Sequence, residues 1–244
     1  MRLTRVYAAG PLAEGALIAL EPRTAAHLTR VLRLTVGAAL AVFDGVGHEH
    51  DARIETLRDR GLELRIGPPR TPPSLSPLAI TLAQGISRGE HMDYAVQKAT
   101  ELGVWCIAPL FCERSVVRLD AEQAVRKLEH WRGVAIAAAE QCGRADLPRI
   151  LPPRRLGEHL AVARAAAGLR LVLAPQAAAS LRELPAASAL EILIGPEGGL
   201  TDDEIALAAH AGYTGVRLGP RVLRTETAAA AAIAALQTLY GDLG

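Results

Sequence analysis

The sequence is poor in cysteine. Cys106, Cys112 and Cys142 are odd in number and lack C-x-x-C spacing, which excludes a disulfide framework and a cysteine-based zinc site. They read as reduced packing residues. The seven histidines form no H-x-x-x-H pair and no Cys/His cluster, so no metal is expected. No apolar run at the N-terminus has signal-peptide length, and the Ala-rich runs near Val134 and Ala228 are broken by polar residues well short of a membrane span. The expectation is a cytoplasmic protein with no membrane partner. A strong charge of either sign is also missing: 27 Lys+Arg against 26 Asp+Glu leave a net charge of +1. Any nucleic-acid contact must then come from a local patch. Two nucleotide motifs are absent as well. Without G-x-x-x-x-G-K-[ST] a P-loop triphosphatase is disfavoured, and without G-x-G-x-x-G so are a nicotinamide oxidoreductase and an ordinary Rossmann-type methyltransferase.

What is present is a chain of 244 residues, half of them apolar, enough to bury at least one full core. Its clearest boundary is Gly67 to Pro77, GPPRTPPSLSP, where five prolines in eleven residues oppose a helix or a central strand. The division is therefore 1–70, a 71–77 linker, and 78–244. Before the linker, short β-like runs (16–20, 40–45, 50–57 and 62–67) separated by turn residues read as a small barrel, interrupted by one helix from Pro22 to about Leu32. All ten basic residues through position 70 are arginines, against eight acids, and the planar guanidinium suits phosphate and base edges. Arg30 and Arg33 are spaced to share the outer face of that helix, with Leu28, Val31 and Leu32 turned inward. A solvated helix face explains this equally well as an RNA-backbone contact.

After the linker the pattern becomes strand, helix, strand. Apolar runs at 78–84, 104–111, 169–174, 190–194 and 216–218 alternate with helices over about 90–102, 120–141, 201–212 and 225–240. Ser87/Glu90 and Thr201/Glu204 have capping-box spacing. Such alternation implies an α/β domain with a mostly parallel sheet covered on both faces. Two loops follow buried strands and precede helices, at the sheet edge where ligands bind. The first is Ile194-Gly195-Pro196-Glu197-Gly198-Gly199-Leu200. The second runs from Leu218 to Ala228 and packs Arg221, Arg224, Glu226, Thr225 and Thr227 into seven residues. Arg88, just past the first strand, could reach the same edge. Taken alone, each loop is also compatible with a plain turn.

Together these segments resemble the bacterial 16S ribosomal RNA (uracil-N3)-methyltransferase family, in the SPOUT class of knotted methyltransferases. The likeness runs through HLTRVLRL, VFDG, QGISRGEHMDYAVQKATELGV, PLFCERSVV, KLEHWRGVAIAAAEQCGR, LIGPEGGLTDDEIA and LGPRVLRTETAAAAAI, which is nearly the full length. The pairing of LIGPEGGL with LGPRVLRTET is its most specific part. The resemblance implies a PUA-like RNA-docking β-barrel before the linker, then a parallel sheet tied in a trefoil knot by the C-terminal helix. It implies a homodimer acting on 16S rRNA within the small ribosomal subunit. It also implies an S-adenosylmethionine pocket lined by Ala174 and Pro175, by Ile194, Gly195, Pro196, Glu197, Gly198 and Gly199, by Leu218 and Gly219, and by Val222, Leu223, Arg224, Thr225, Thr227 and Ala228. The sequence departs from the family at His91, where a basic residue such as Lys is usual, and at Ala229, where a hydroxyl residue is.

Uracil N3 carries an imide proton that must leave before or during methyl transfer. Glu226 or Glu197 is suited to take it, and Arg88 or Arg224 to steady the developing imidate oxygen. Two rivals remain open: an RNA-docking protein without cofactor affinity, and a methyltransferase of the same fold acting on another base or a ribose hydroxyl.

Overall fold

A computed structural model describes residues 3–58, 61–73, 75–163 and 168–244, with the side chains of 58 and 163 left aside. Ser74, within the proline-rich stretch, lies outside the described residues. The chain divides into two compact units: residues 1–74 with 136–147, and 75–135 with 148–244.

The first unit holds five strands: β1 (Arg5–Tyr7), β2 (Leu17–Ala19), β3 (Ala39–Phe43), β4 (Glu49–Arg58) and β5 (Gly61–Arg70). Their order is β1-β3-β4-β5-β2, antiparallel except for the parallel β1–β3 pair. Val6, Leu40, Val42, Ile54, Leu62, Leu64 and Ile66 build its core, alternating along their strands as a half-buried sheet requires. The strand β5 runs through Pro68 and Pro69 to Arg70, the last residue before the expected linker, and tolerates both prolines. The reason is positional. The partner β2 pairs only with Glu63 to Arg65, so further along β5 has β4 on one side and can dispense with amide donors on the other.

The expected helix is present but not uniform. Helix α1 (Pro22–Ala26) starts on a proline, which suits a first helical position, and passes directly into a π-helical segment, His27–Val31. The wider π turn shifts the side-chain register. Leu28 is buried as expected, whereas Val31 is 65% and Leu32 42% exposed, which corrects their inward assignment. Arg30 is exposed, and Arg33 lies beyond the helical segment at φ +54°, so the two arginines do not share one helical face.

Residues 136–147 join the first unit through specific contacts. Arg5, almost fully buried, forms an ion pair with Glu49 at 2.6 Å and donates to the carbonyls of Ala139 (2.6 Å) and Arg144 (3.0 Å). Glu140 accepts from the Tyr7 amide at 3.0 Å. Burial pushes the Glu140 carboxyl above its ordinary range, against the pull of that amide and of His27 and Arg5. A carboxyl raised on folding is protonated at low pH in both states and loses stability as pH rises through the window between its unfolded and folded values. Glu140→Gln keeps an acceptor for Tyr7 without the buried charge. The variant is expected to match wild type near pH 4 and to exceed it in urea stability near pH 8.

The second unit is an eight-stranded sheet whose recorded pairings are all parallel. It comprises β6 (Ala79–Gly85), β7 (Cys106–Phe111), β8 (Arg149–Ile150), β9 (Arg154–Arg155), β10 (Leu169–Leu173), β11 (Ala179–Ser180), β12 (Ala189–Ile194) and β13 (Thr214–Arg217). Their order is β11-β13-β10-β12-β6-β7-β8, with β9 also on β7. Successive residues serve opposite faces. Ile80, Leu82, Ile192 and Ile194 pack into one core, with Trp131, Met92, Val96, Ile233 and Leu236, while Ala83 and Leu193 join another with Leu156, Leu160 and Ala208. Helices α2 (Glu90–Glu101), α3 (Ala121–Cys142) and α6 (Thr225–Tyr240) therefore supply the first face, α4 (Leu156–Ala163) and α5 (Asp202–His210) the second. Cys106 and Cys112 are buried, and desolvation pushes their thiols up to about 11 and about 12, so neither is a nucleophile.

The helix starts test the capping expectations. Thr201 and Glu204 form the reciprocal box at α5, with bonds of 3.2 and 3.0 Å, and Asp120 and Gln123 do the same before α3 at 2.8 and 3.1 Å. Ser87 and Glu90 do not. The N-cap of α2 is Gly89, at φ +52°, and Ser87 is buried two residues earlier against the Gly85 carbonyl. A left-handed glycine turns the chain at that point, which the serine spacing gave no sign of.

Candidate active site

The carboxyl ends of β13, β10 and β12 are neighbours in the sheet, and the loop after each enters one cavity of 590 Å³. That size is within the range of small-molecule sites, roughly 300–1,000 Å³. Leu173, Ala174 and Pro175 come from the end of β10 and the loop after it, Ile194 to Leu200 from the end of β12 and its loop, and Leu218, Gly219 and Arg221 to Arg224 from the loop after β13, with Thr225, Glu226 and Ala228 in the first turn of α6. Every residue that the family resemblance assigns to the pocket lines this cavity except Thr227. That side chain is exposed on the far side of the first turn of α6, about 100° round from Glu226 and Ala228.

The loop after β12 has little freedom. A Cβ on Gly85, at the end of β6, would lie 2.4 Å from the Pro196 nitrogen, and one on Gly195 would lie 2.8 Å from the Leu200 nitrogen. Backbone therefore lies directly on backbone. The buried Gln84 amide donates to Thr225 Oγ1 at 2.9 Å, and that hydroxyl donates to the Gly195 carbonyl at 2.6 Å. One chain of bonds thus links β6, the first loop and the start of α6. From the outer side, Arg114 Nη1 reaches the carbonyls of Gly198 (3.2 Å) and Leu200 (3.4 Å). Glu204, besides capping α5, accepts from the Glu113 amide at 2.8 Å, fixing the turn that carries Arg114.

The ionisable groups separate into distinct tasks. Glu226 lies mostly buried in the wall, 3.1 Å from Nδ1 of His91, which stands in the first turn of α2 and also lines the cavity. Glu197 lines it too, but its Oε1 is occupied by the Arg88 amide at 2.7 Å. It acts as a clamp between the loop and the start of α2. Arg224 lines the cavity, whereas Arg88 lines a smaller neighbouring one and meets the first through its backbone only. The sequence singles out neither Arg114 nor His91 as a wall residue; His91 stands out there only as a departure from the family. Nothing in their local spacing marks either, since each reaches the cavity from a different helix or turn. Among the described residues no group of three His, Cys, Asp or Glu could hold a metal ion, and no helix is long and apolar enough to cross a membrane.

Comparison with known proteins places the chain in a family. An RNA methyltransferase domain model matches residues 74–237, and an RNA methyltransferase PUA domain model matches 20–67. Ribosomal RNA small subunit methyltransferase E of Buchnera aphidicola subsp. Schizaphis graminum is 33% identical over 99% of this chain and 98% of its own. The chain belongs to the ribosomal RNA small subunit methyltransferase E family. The family member from Mycobacterium bovis is 33% identical over 92% of this chain and 87% of its own. Among solved structures, the Neisseria gonorrhoeae member bound to S-adenosyl methionine superposes with a TM-score of 0.90 at 38% identity, covering all of both chains. A Legionella pneumophila methyltransferase in complex with the same cofactor reaches 0.95 at 40%, again over both chains entire.

Proposed function

We propose that this chain transfers a methyl group from S-adenosylmethionine to N3 of one uridine of 16S rRNA, with the small ribosomal subunit as substrate. The observation that carries the reading is the convergence of three adjacent strand-end loops on one cavity that holds a buried carboxylate, Glu226, and an arginine, Arg224. The residues present suit the cofactor. Leu173, Ile194, Val216 and Leu218 offer apolar walls for an adenine, Glu197 and Asp202 offer carboxylates for a sulfonium and an amino group, and Arg221 suits a carboxylate. Bound there, the cofactor supplies an electrophilic methyl.

The chain's own groups do the rest. Glu226 takes the imide proton of N3, with His91 Nδ1 orienting it through one oxygen. Arg224 holds the uracil oxygen on which charge develops. Glu197 and Gln84 keep the loops in place, so positioning supplies much of the rate. N3 lies on the Watson–Crick edge, so the uridine is unpaired or flipped out when it reacts.

The further assignments are of the same kind. Residues 1–70 form a PUA-like β-barrel that docks RNA, with Arg30 and Arg33 on phosphates, 71–77 are a linker, and 78–244 form the methyltransferase domain. The C-terminal helix is threaded to make a trefoil knot, a reading supported by the seat of Thr225 between Gln84 and Gly195. The protein is a cytoplasmic homodimer that uses no metal. Titration calorimetry with S-adenosylmethionine, followed by methylation of unmodified small subunits and nucleoside mass spectrometry, tests the core claim. Cofactor binding with 3-methyluridine as product is the expected result. No cofactor binding would leave an RNA-docking protein, and a different modified nucleoside would move the activity to another atom.

A further inference from the structure

The loops that wall the cavity leave β13, β10 and β12, yet one side chain in its lining comes from a fourth strand end: Arg114, three residues past β7. The turn that carries it is closed on itself. The Cys112 amide donates to Ser115 Oγ at 3.1 Å, and the Ser115 amide donates to the Cys112 carbonyl at 3.1 Å. Glu113 then meets the start of α5 twice, its amide donating to Glu204 Oε1 at 2.8 Å and its Oε2 accepting from Thr201 Oγ1 at 3.2 Å. The turn is thus tied to the helix that directly follows Gly198 to Leu200. Arg114 touches that segment in two ways. A Cβ on Gly198 would lie 2.9 Å from Arg114 Cβ and 3.3 Å from the Arg114 carbonyl oxygen, so the backbone and stem of the arginine lie against the bare glycine. Its Nη1 donates to the carbonyls of Gly198 and Leu200, at 3.2 and 3.4 Å. Among the described residues the guanidinium has no carboxylate partner, so what it engages is the loop.

We propose that Arg114 is a positioning residue for the cofactor: it holds the carbonyls of Gly198 and Leu200 and so sets the wall against which S-adenosylmethionine binds. The inference rests on the cofactor reading of the cavity given above. The segment needs such a brace. Gly198 and Gly199 have no side chains with which to anchor themselves, and Gly199 stands at φ +71°. Within the turn, the Gly199 amide donates to the Pro196 carbonyl at 2.8 Å. Glycine has the most backbone freedom to lose on ordering. A wall ordered beforehand spares the ligand that cost, so a brace on it is read out as affinity. A charged donor on a carbonyl is the stronger kind of hydrogen bond, and here one nitrogen serves two carbonyls of the same loop. An exposed arginine beside the cavity could instead serve an RNA phosphate. Its engagement with Gly198 and Leu200 favours the brace.

Two full-length variants separate packing from hydrogen bonding. Arg114→Met keeps a stem against Gly198 and has no donor, whereas Arg114→Lys restores a charged donor. Titration calorimetry with S-adenosylmethionine reads affinity and stoichiometry separately. Arg114→Met is expected to bind roughly tenfold more weakly, about the value of one hydrogen bond from a charged donor, with stoichiometry unchanged. Arg114→Lys is expected to recover part of that loss. At saturating cofactor, the KM for small subunits is expected to stay near wild type in both. A merely structural role would lower the stoichiometry, as part of the protein unfolds, and leave the affinity of the remainder as it was; that result overturns the proposal. Wild-type cofactor affinity in Arg114→Met overturns it too, and if the KM for subunits has risen at the same time, Arg114 is an RNA contact. Failure of the wild-type protein to bind S-adenosylmethionine would sink the cofactor reading, whereas wild-type binding matched by Arg114→Met would sink this inference alone.

Discussion

Glu226→Gln is expected to bind S-adenosylmethionine as wild type does and to lose roughly 10²–10⁴-fold in kcat, the usual contribution of a positioned general base. The argument is geometric. Of the two carboxylates considered for the role, Glu197 spends an oxygen on the Arg88 amide, while Glu226 is paired with a histidine side chain that also lines the cavity. Glutamine preserves size and one acceptor for His91 but cannot take a proton. The loss should be largest near neutral pH and shrink as the medium becomes alkaline enough to remove the imide proton unaided. Single-turnover methylation of small subunits, with cofactor affinity measured separately, checks this. Full turnover at neutral pH in a variant that binds cofactor normally would remove the base role.

Gly85→Ala is expected to be the most damaging single methyl that can be added near the site. Its Cβ would sit 2.4 Å from the backbone nitrogen of Pro196, and neither strand end nor proline loop can yield as a flexible side chain could. The loop must move outward. Overpacking of this kind typically costs about 1–3 kcal/mol of stability, and the displaced segment, Ile194 to Gly199, is a wall of the cofactor cavity. A drop in melting temperature together with a loss of S-adenosylmethionine affinity of at least tenfold by calorimetry is the expected outcome. Near-wild-type affinity in the folded variant would show that the loop can shift without consequence for the ligand.

The sequence disclosed the parallel sheet well because both faces are buried. Runs such as Ala79 to Gly85 and Ala189 to Ile194 are mostly apolar, interrupted only by Thr81, Gln84 and Glu191, and the helices between them keep their own period. It disclosed the two ligand loops because Gly-Pro pairs at strand ends are chemically conspicuous. Other features had no local signature. The strands β8, β9 and β11 are two residues each and are held by pairing with neighbours rather than by any pattern of their own. Allocation of the last turns of α3 to the first unit depends on Arg5 and Tyr7, more than 130 positions away. The π-helical segment turns both Val31 and Leu32 outward without altering where the helix lies. Arg114 is unreadable for the same reason. What matters about it is the pair of backbone carbonyls it meets, and such meetings are decided by tertiary packing.

The bond path from Gln84 through Thr225 to the Gly195 carbonyl carries a thermodynamic corollary. Because the opening residue of the last helix shares a hydroxyl with the loop that walls the cavity, fraying of that helix and deformation of the loop are one event. Ligand occupancy therefore acts as a fastener on the C-terminus, raising the free energy at which Thr225 to Tyr240 open by whatever the closed loop gains in affinity over the open one. Conversely, a truncation that loosens the helix would be felt first as weaker retention of the cofactor, well before the sheet itself gave way.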